Sequence, residues 1–289
     1  MQPFVLIKLM RPHQYIKNLF IFLPLFFALK ITHIELLSNA FIAFIAFSLT
    51  ASAIYTLNDY HDIEEDRLHP KKKYRPLASG SISKSQAIII MSLLSIAGFV
   101  LMASLSLQAV AILATYVLMN IAYSFYLKHV AILDVTIIAI GFVLRLFVGS
   151  AVTGIPLSMW IVLMTFLLAL FMALAKRRDD MLIYLDTGKK MRKVIDGYNL
   201  PFLDTAMSIM ASVVIVAYVI YTSSPEVVER MNSDYLYLTG LFVILGVMRY
   251  LQVALVLKDS GSPTKIVLKD RFMQLTLIGW VLTFTWILY

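Results

Sequence analysis

The 289-residue chain has no cysteine, which excludes a disulfide framework, a thiolate nucleophile and any cysteine metal site. Charge is also scarce. Asp, Glu, Lys and Arg make up 15% of the residues against 60% hydrophobic, far from the balance of a soluble domain. The mean hydropathy of +0.83 therefore predicts an integral membrane protein. Low-complexity tails are missing, and residues 1–289 read as a single transmembrane domain. The segment 1–17 lacks a compact apolar core followed by a small-residue cleavage site, so no cleaved signal peptide is expected. His33, His61 and His129 show no metal-ligand spacing.

What is present is a series of apolar runs long enough, or nearly so, to cross a bilayer. Nine are expected, at 16–31, 37–57, 87–105, 110–127, 132–150, 160–175, 205–221, 235–257 and 272–288. Pro24 falls inside the first and is expected to kink it. Lys and Arg test this arrangement. With the N-terminus cytoplasmic, twenty-one basic residues fall on the inner side and two, Lys30 and Arg230, on the outer, while Arg145 and Arg249 lie within spans. That is a positive-inside pattern. The net charge of +8 is thus an orientation signal and not a mark of nucleic-acid binding. Trp160, Trp280 and Trp286 near span ends read as interfacial belts. The outer loops are short and nearly uncharged, whereas the inner loops after spans two and six, near 58–84 and 176–204, are polar and carry both signs. They stand at corresponding places in two helix sets, a pseudo-repeat without residue-level similarity.

The first of these loops concentrates chemistry. Asn58-Asp59-x-x-Asp62-x-x-x-Asp66 follows the second span directly, and Lys71-Lys72-Lys73-Tyr74-Arg75-Pro76 comes just after it. If the helix continues past Leu57, Asp59, Asp62 and Asp66 share one face at i, i+3 and i+7, with Asn58 at its border. Carboxylates that close repel one another unless a cation neutralises them. An all-oxygen set of this kind suits Mg²⁺, which completes its shell with water and substrate phosphate. The basic residues downstream suit the remaining phosphate oxygens. The competing reading is a solvated, charge-balanced loop between two membrane helices.

Further along, Asp134, Ile138, Gly141 and Arg145 form one helical stripe. Arg145 is deep enough to need a partner or an anionic ligand inside the bundle, and Asp134 is too far along the helix to serve it. Lys176 and Arg177 abut the end of span six, where they can meet an anionic group at the interface. Asp180 is placed to aid a second metal or to orient a basic neighbour. Lys189 to Lys193 read as a positive-inside anchor. At the front, Arg11-Pro12-His13-Gln14-Tyr15-Ile16-Lys17-Asn18 reads as an interfacial amphipathic lead-in, with Lys17 and Asn18 as further ligand candidates at the lip of span one.

The acidic motif after the second of nine spans resembles the first aspartate-rich motif of the UbiA-type intramembrane prenyltransferase superfamily. The Arg-Pro-x-Gln-Tyr-x-Lys-Asn start, Asp66-Arg67-Leu68-His69-Pro70, Arg75-Pro76 with Gly80, and Tyr123 with Lys128-His129 and Asp134 narrow the resemblance. So do Gly141 with Arg145, Lys176-Arg177, and Arg249-Tyr250 with Asp270-Arg271. Together they look like the branch of decaprenyl-phosphate phosphoribosyltransferases. The resemblance implies an all-α membrane bundle around a cytoplasm-facing cavity, in a bacterial inner membrane. It also implies Mg²⁺ and a diphosphate held by Asp59, Asp62 and Asp66 with Asn58 assisting. His69, Lys72, Lys73 and Arg75 would neutralise donor phosphates; Tyr123, Lys128, Asp134, Arg145, Lys176, Arg177 and Asp180 complete the expected substrate site. The implied reaction moves 5-phosphoribose from phosphoribosyl diphosphate to a polyprenyl phosphate, making a precursor of lipid-linked D-arabinofuranose for cell-envelope glycans. One departure from the wider superfamily stands out. Its aromatic prenyltransferases carry a second acid-rich motif after span six, where this chain leads with Lys176-Arg177-Arg178 before Asp179-Asp180. The alternatives are an aromatic prenyltransferase using a prenyl diphosphate, and a non-enzymatic transporter or scaffold.

Overall fold

Long apolar segments dominate the architecture of the computed structural model, which describes residues 3–68, 72–188, 190, 193–258 and 263–288. Regular structure among these residues is entirely helical. The helices are α1 (Pro3–Met10), α2 (Leu23–Phe27), α3 (Ile34–His61), α4 (Ile63–Leu68), α5 (Lys84–Ala103), α6 (Leu107–Phe125) and α7 (Leu133–Thr153). They are followed by α8 (Met159–Thr187), α9 (Leu200–Ser223), α10 (Pro225–Met231), α11 (Gly240–Leu255), α12 (Pro263–Lys269) and α13 (Arg271–Leu288). Among the described residues eight helical segments are long and apolar enough to cross a membrane, as a multi-pass membrane protein requires. Several expose an apolar stripe at helical spacing. In α5 it is Ile89, Leu93, Ile96 and Val100, and in α13 Leu275, Ile278, Leu282 and Trp286. In a membrane these stripes face lipid, so their exposure costs nothing.

The first expected span differs. Residues 16–31 do not form one α-helix: a 3₁₀ stretch, Pro12–Phe22, runs into the five-residue α2, and Leu29 then takes a positive φ of 56°. Pro24 lies in the first turn of α2, where its missing N–H costs nothing, so it starts a helix and does not kink one. The loop expected from 176 also begins differently. The charged residues to Thr187 continue α8, which stops at Gly188 in the left-handed region, φ 67°. Other ends follow local chemistry. Ser83 and Gln86 form a reciprocal capping box on α5, and Ser106, Ser158 and Asn199 cap α6, α8 and α9.

The chain divides into two compact units: Met1–Leu127 with Ile140–Leu157, and Lys128–Ala139 with Ser158–Tyr289. In the first unit α3 is central. Its inward face is small and hydroxylic (Ala40, Ala43, Ala46, Thr50, Ala51, Ser52), so neighbouring backbones approach closely. A Cβ on Gly98 of α5 would fall 2.2 Å from Thr50 Oγ1 and 2.7 Å from the Ala46 carbonyl oxygen. The core of this unit gathers Ile21, Leu25, Phe47, Met102, Leu113 and Val148. The second unit packs Phe171, Leu203, Met207, Val247, Tyr250 and Met273. Arg178 fastens it by donating to Asp204 (2.6 Å) and to the Ala254 carbonyl (2.7 Å). Trp280 is not a simple interfacial belt: its indole N–H donates to Tyr218 Oη at 2.8 Å and its ring stacks on Phe284.

Close backbone contact at glycine makes a direct prediction. A Cβ on Gly149 would stand 2.1 Å from the Ile21 carbonyl oxygen, a backbone atom that no rotamer change can clear. Gly149→Ala is expected to cost roughly 1–3 kcal/mol and to lower the apparent melting temperature in detergent by several degrees. Gly246→Ala, whose nearest new contact is a side-chain methyl at 3.6 Å, should leave it unchanged.

Candidate active site

The first unit builds a charged centre at the polar end of α3. The helix reaches His61 and stops at Asp62, and α4 follows at once, so the acidic motif straddles a break in the helix. Hydrogen bonds from Asp62 N to Asn58 O (3.0 Å) and from Asp66 N to Asp62 O (2.8 Å) keep the turn helical enough for Asp59 and Asp66 to stay on one face. Both carboxylates are buried, each about 1% exposed. One arginine nitrogen joins them: Arg75 Nη1 donates to Asp59 Oδ1 at 3.0 Å and to Asp66 Oδ2 at 2.7 Å. Lys72 Nζ stands 3.8 Å from Asp66 Oδ1. Arg75 is carried by a loop that docks through Leu77 and Ile82 against Leu9, Ile63 and Ala87. Gly80, at φ 74°, supplies the left-handed turn between those two anchors.

Arg11 completes this centre. It follows α1 in the left-handed region (φ 55°, ψ 58°), a conformation that costs a non-glycine residue roughly 1–2 kcal/mol. The turn sends its guanidinium to Asp59 Oδ1 by a short hydrogen bond and places it 5.4 Å from the centroid of the Tyr55 ring. Ser52 secures the same turn by donating to the Met10 carbonyl (2.8 Å) and lies 2.9 Å from Tyr15 Oη. Sequence reasoning placed Arg11 in an interfacial lead-in and in the opening motif of the resemblance, and gave it no site role of its own. No local signal pointed to the turn: a residue before proline favours extended backbone, and Arg11 is left-handed instead.

The remaining expected residues distribute as follows. Asn58 accepts a short hydrogen bond from the Ser124 hydroxyl. Asp62 meets His61 Nδ1 at 3.1 Å and is more open than the other two acids. Lys73 is exposed and lies over the Tyr74 ring. His69 lies outside the described residues. Tyr123 is on α6, and Lys17, Asn18 and Arg145 form a second polar group within the first unit. Arg145 donates from Nε to Asn18 Oδ1 (2.7 Å) and from Nη1 to the Gly141 carbonyl (2.6 Å). Its guanidinium also lies 4.7 to 5.5 Å from the ring centroids of Phe47, Tyr116 and Phe142.

Among the described residues no three His, Asp or Glu side chains stand at metal-ligand spacing. The donor set nonetheless fits a hard divalent cation. Asp59 and Asp66 are close enough to share one nitrogen, and Asp59 Oδ2 is buried with no hydrogen-bond partner among the described residues. A buried carboxylate oxygen left unsatisfied is costly, and a cation removes that cost.

The second unit has its own network. Arg177, fully buried, donates from Nε to Asp134 Oδ2 and from Nη1 to Asp180 Oδ2. Tyr198 donates its phenol to Asp134 Oδ1 at 2.6 Å and accepts from Ile132 N at 2.7 Å. Burial and then the Asp134 hydrogen bond push the Tyr198 phenol well above its ordinary range, so it stays a donor at any physiological pH. Of the two roles open to Asp180, the geometry shows it orienting a basic neighbour. Lys176 is exposed on α8, and Lys128 lies in the turn Leu127–His129.

An all-helical, multi-pass membrane protein with a basic-capped acid pair at the end of its longest first-unit helix is the class these features define. Residues 18–285 match the UbiA prenyltransferase family, and the chain belongs to it. It is 32% identical to the decaprenyl-phosphate phosphoribosyltransferase of Mycolicibacterium smegmatis over 286 residues, covering 96% of this chain and 90% of that protein. It is 30% identical to the protein of that name from Corynebacterium glutamicum, covering 96% and 84%. A UbiA homolog from Archaeoglobus fulgidus bound to GPP and Mg²⁺ has the same fold, with a TM-score of 0.73, 18% identity, and coverage of 96% and 98%.

The buried pair in the second unit is testable by stability. Asp134→Asn leaves Arg177 buried with one countercharge removed and should cost about 3–5 kcal/mol, read as a large loss of monodisperse protein after mild heating. Asp204→Asn, at a carboxylate 39% exposed beside Arg178, should cost clearly less.

Proposed function

We propose that the chain is a polyprenyl-phosphate phosphoribosyltransferase. It transfers 5-phosphoribose from phosphoribosyl diphosphate to a polyprenyl phosphate and releases diphosphate. Its product serves as a precursor of lipid-linked D-arabinofuranose. The enzyme works as a single catalytic domain in a bacterial inner membrane, N-terminus and active site toward the cytoplasm. Relatives named for this reaction match nearly the whole chain. The observation that carries the choice within the family is where the second unit spends its acids. Asp134 and Asp180 are bound to Arg177, and Asp204 to Arg178. The acids of the first unit are also paired with arginine, but there Asp59 Oδ2 is buried with no hydrogen-bond partner among the described residues, whereas Asp134 has both oxygens engaged, by Arg177 and Tyr198. This supports a metal site in the first unit and argues against a second one of the kind a prenyl-diphosphate donor uses.

Asp59 and Asp66, with Asp62 and Asn58, would hold Mg²⁺. Bound there, the ion neutralises charge building on the departing diphosphate. The protein's own contribution is electrostatic and positional. Arg75, Lys72 and Arg11 lie beside the acids and bind diphosphate oxygens as they are freed from the carboxylates. His69 and Lys73 add positive charge along the same loop. As the ribose C1–O bond breaks, the sugar carbon takes on oxocarbenium character and a phosphate oxygen of the lipid attacks it. That oxygen is already anionic at neutral pH, so no general base has to remove a proton. Lys128, Lys176 and Tyr123 position anionic groups of the substrates. Arg177, held between Asp134 and Asp180, keeps the cytoplasmic end of α8 in place for Lys176.

Incubation of purified protein with phosphoribosyl diphosphate and a polyprenyl phosphate should yield lipid-linked ribose phosphate. EDTA should abolish the product and added Mg²⁺ restore it. Asp59→Asn and Asp66→Asn should each lower turnover by about 10²-fold or more while the protein stays monodisperse. A prenylated aromatic product, or activity indifferent to both substitutions, would refute the assignment.

A further inference from the structure

The Lys17–Arg145 group carries more charge than its surroundings answer. Arg145 is 4% exposed, and its hydrogen bonds go to two neutral acceptors, Asn18 Oδ1 and the Gly141 carbonyl. Its Nη2 donates to nothing among the described residues, and no carboxylate pairs with it there. Lys17, next to Asn18 on the 3₁₀ stretch, is partly buried. The charged neighbours its ammonium feels are Arg145 and Arg11, both repulsive, and it makes no hydrogen bond among the described residues. Two cations in one polar group, one of them buried, are costly without a countercharge, and none is present among the described residues. Aromatic faces on Phe47, Tyr116 and Phe142 offset only part of that, since a ring face carries no net charge. The acids of this unit do not help. Asp59 and Asp66 already face Arg11, Arg75 and Lys72.

We propose that Lys17 and Arg145 form the receptor for a phosphate monoester, the 5-phosphate of the donor. This rests on the phosphoribosyl-transfer reading and adds to it which group the deep pair binds. A phosphate monoester carries close to two negative charges at neutral pH and three acceptor oxygens, which matches two cations with unused donors. Guanidinium and ammonium bind such oxygens by charge-assisted hydrogen bonds. Arg11, which bonds Asp59, lies near enough to Lys17 for their like charges to repel, so the two centres are neighbours in one unit. A molecule with a diphosphate at one end and a monoester at the other is therefore answered at both ends within one unit. The arrangement selects a 5-phosphorylated ribose over a prenyl diphosphate, which has no second anionic group to offer.

Ribose 5-phosphate titrated calorimetrically into the full-length protein in nanodiscs, without Mg²⁺, tests this. Wild-type protein should bind it, and Lys17→Met and Arg145→Gln should each weaken binding at least tenfold. Lys17 makes no hydrogen bond to lose among the described residues, so its variant decides the matter if Arg145→Gln unfolds. In turnover, Lys17→Met should raise KM for phosphoribosyl diphosphate at least tenfold and leave KM for polyprenyl phosphate unchanged. Unchanged affinity and KM in Lys17→Met would overturn the proposal, and so would a KM shift confined to the lipid, which would make the site an acceptor site. If wild-type protein makes no lipid-linked ribose, the function proposed above fails. Lys17-dependent binding of ribose 5-phosphate would still uphold the site, and no binding would overturn it.

Discussion

Two carboxylates buried at the end of a membrane-length helix set the terms for the first unit. An isolated buried carboxylate carries a desolvation penalty of several kcal/mol even after the protein relaxes around it. Asp59 and Asp66 also sit close enough to share one arginine nitrogen, so their mutual repulsion adds to that penalty. Positive charge must come to them, and much of the local structure is explained by how it arrives. The loop after α4 is pinned by Leu77 and Ile82 so that Arg75 points inward. The chain before the 3₁₀ stretch takes a left-handed turn at Arg11 for the same end. That turn is strained, and the ion pair, the Tyr55 face and the Ser52 bond to Met10 hold it.

The second unit solves a similar problem differently. Its buried charges are closed on themselves: Arg177 is flanked by two acids, and a permanently protonated phenol serves the inner one. Such a network specifies geometry more than it adds net stability. It fixes α8 where that helix continues beyond its apolar length, which is why residues 176–187 remain helical despite their polarity. Charge in the first unit is left partly unanswered among the described residues, as at Asp59 Oδ2; in the second it is mostly consumed by structure. That contrast gives physical content to the basic-led sequence after span six, which composition alone presents as another positive-inside loop.

Much of this was readable from the residues. The apolar runs, being longer than any soluble core requires, located eight of the helices, and the spacing of Asp59 and Asp66 placed them on one face because helix geometry is rigid over two turns. Arg145 announced its need for partners by its depth. Its actual partner, Asn18, is 127 positions away, and nothing local encodes that. The same holds for Arg11 with Asp59, 48 apart, and Asp134 with Arg177, 43 apart: tertiary packing chooses among many possible oppositely charged pairs. The stretch 16–31 misled because hydropathy counts apolar residues without asking whether the backbone can stay α-helical. Prolines at 12 and 24 and the polar Lys17-Asn18 pair favour a tighter, interrupted path.

That interrupted path has a consequence for chemistry. A continuous α-helix would turn Lys17 and Asn18 by a fixed 100° per residue and would bury or expose them with the apolar face. The 3₁₀ winding, three residues per turn, places Asn18 against Ser48 at 2.8 Å and against Arg145 while Tyr15 meets Ser52. Residues three apart thus lie along one line on α3. The polar side of this segment therefore faces a row of small hydroxyl residues on α3, where an apolar span would face bulky packing. Thr50, Ser52 and Thr56 there donate to carbonyls one turn back, while Ser48 accepts from Asn18 and Ser52 meets Tyr15. A segment that looked apolar by composition is in this way polar along the line that Tyr15 and Asn18 share, and the break in its helix is what sets Asn18 on that line to meet both Ser48 and Arg145.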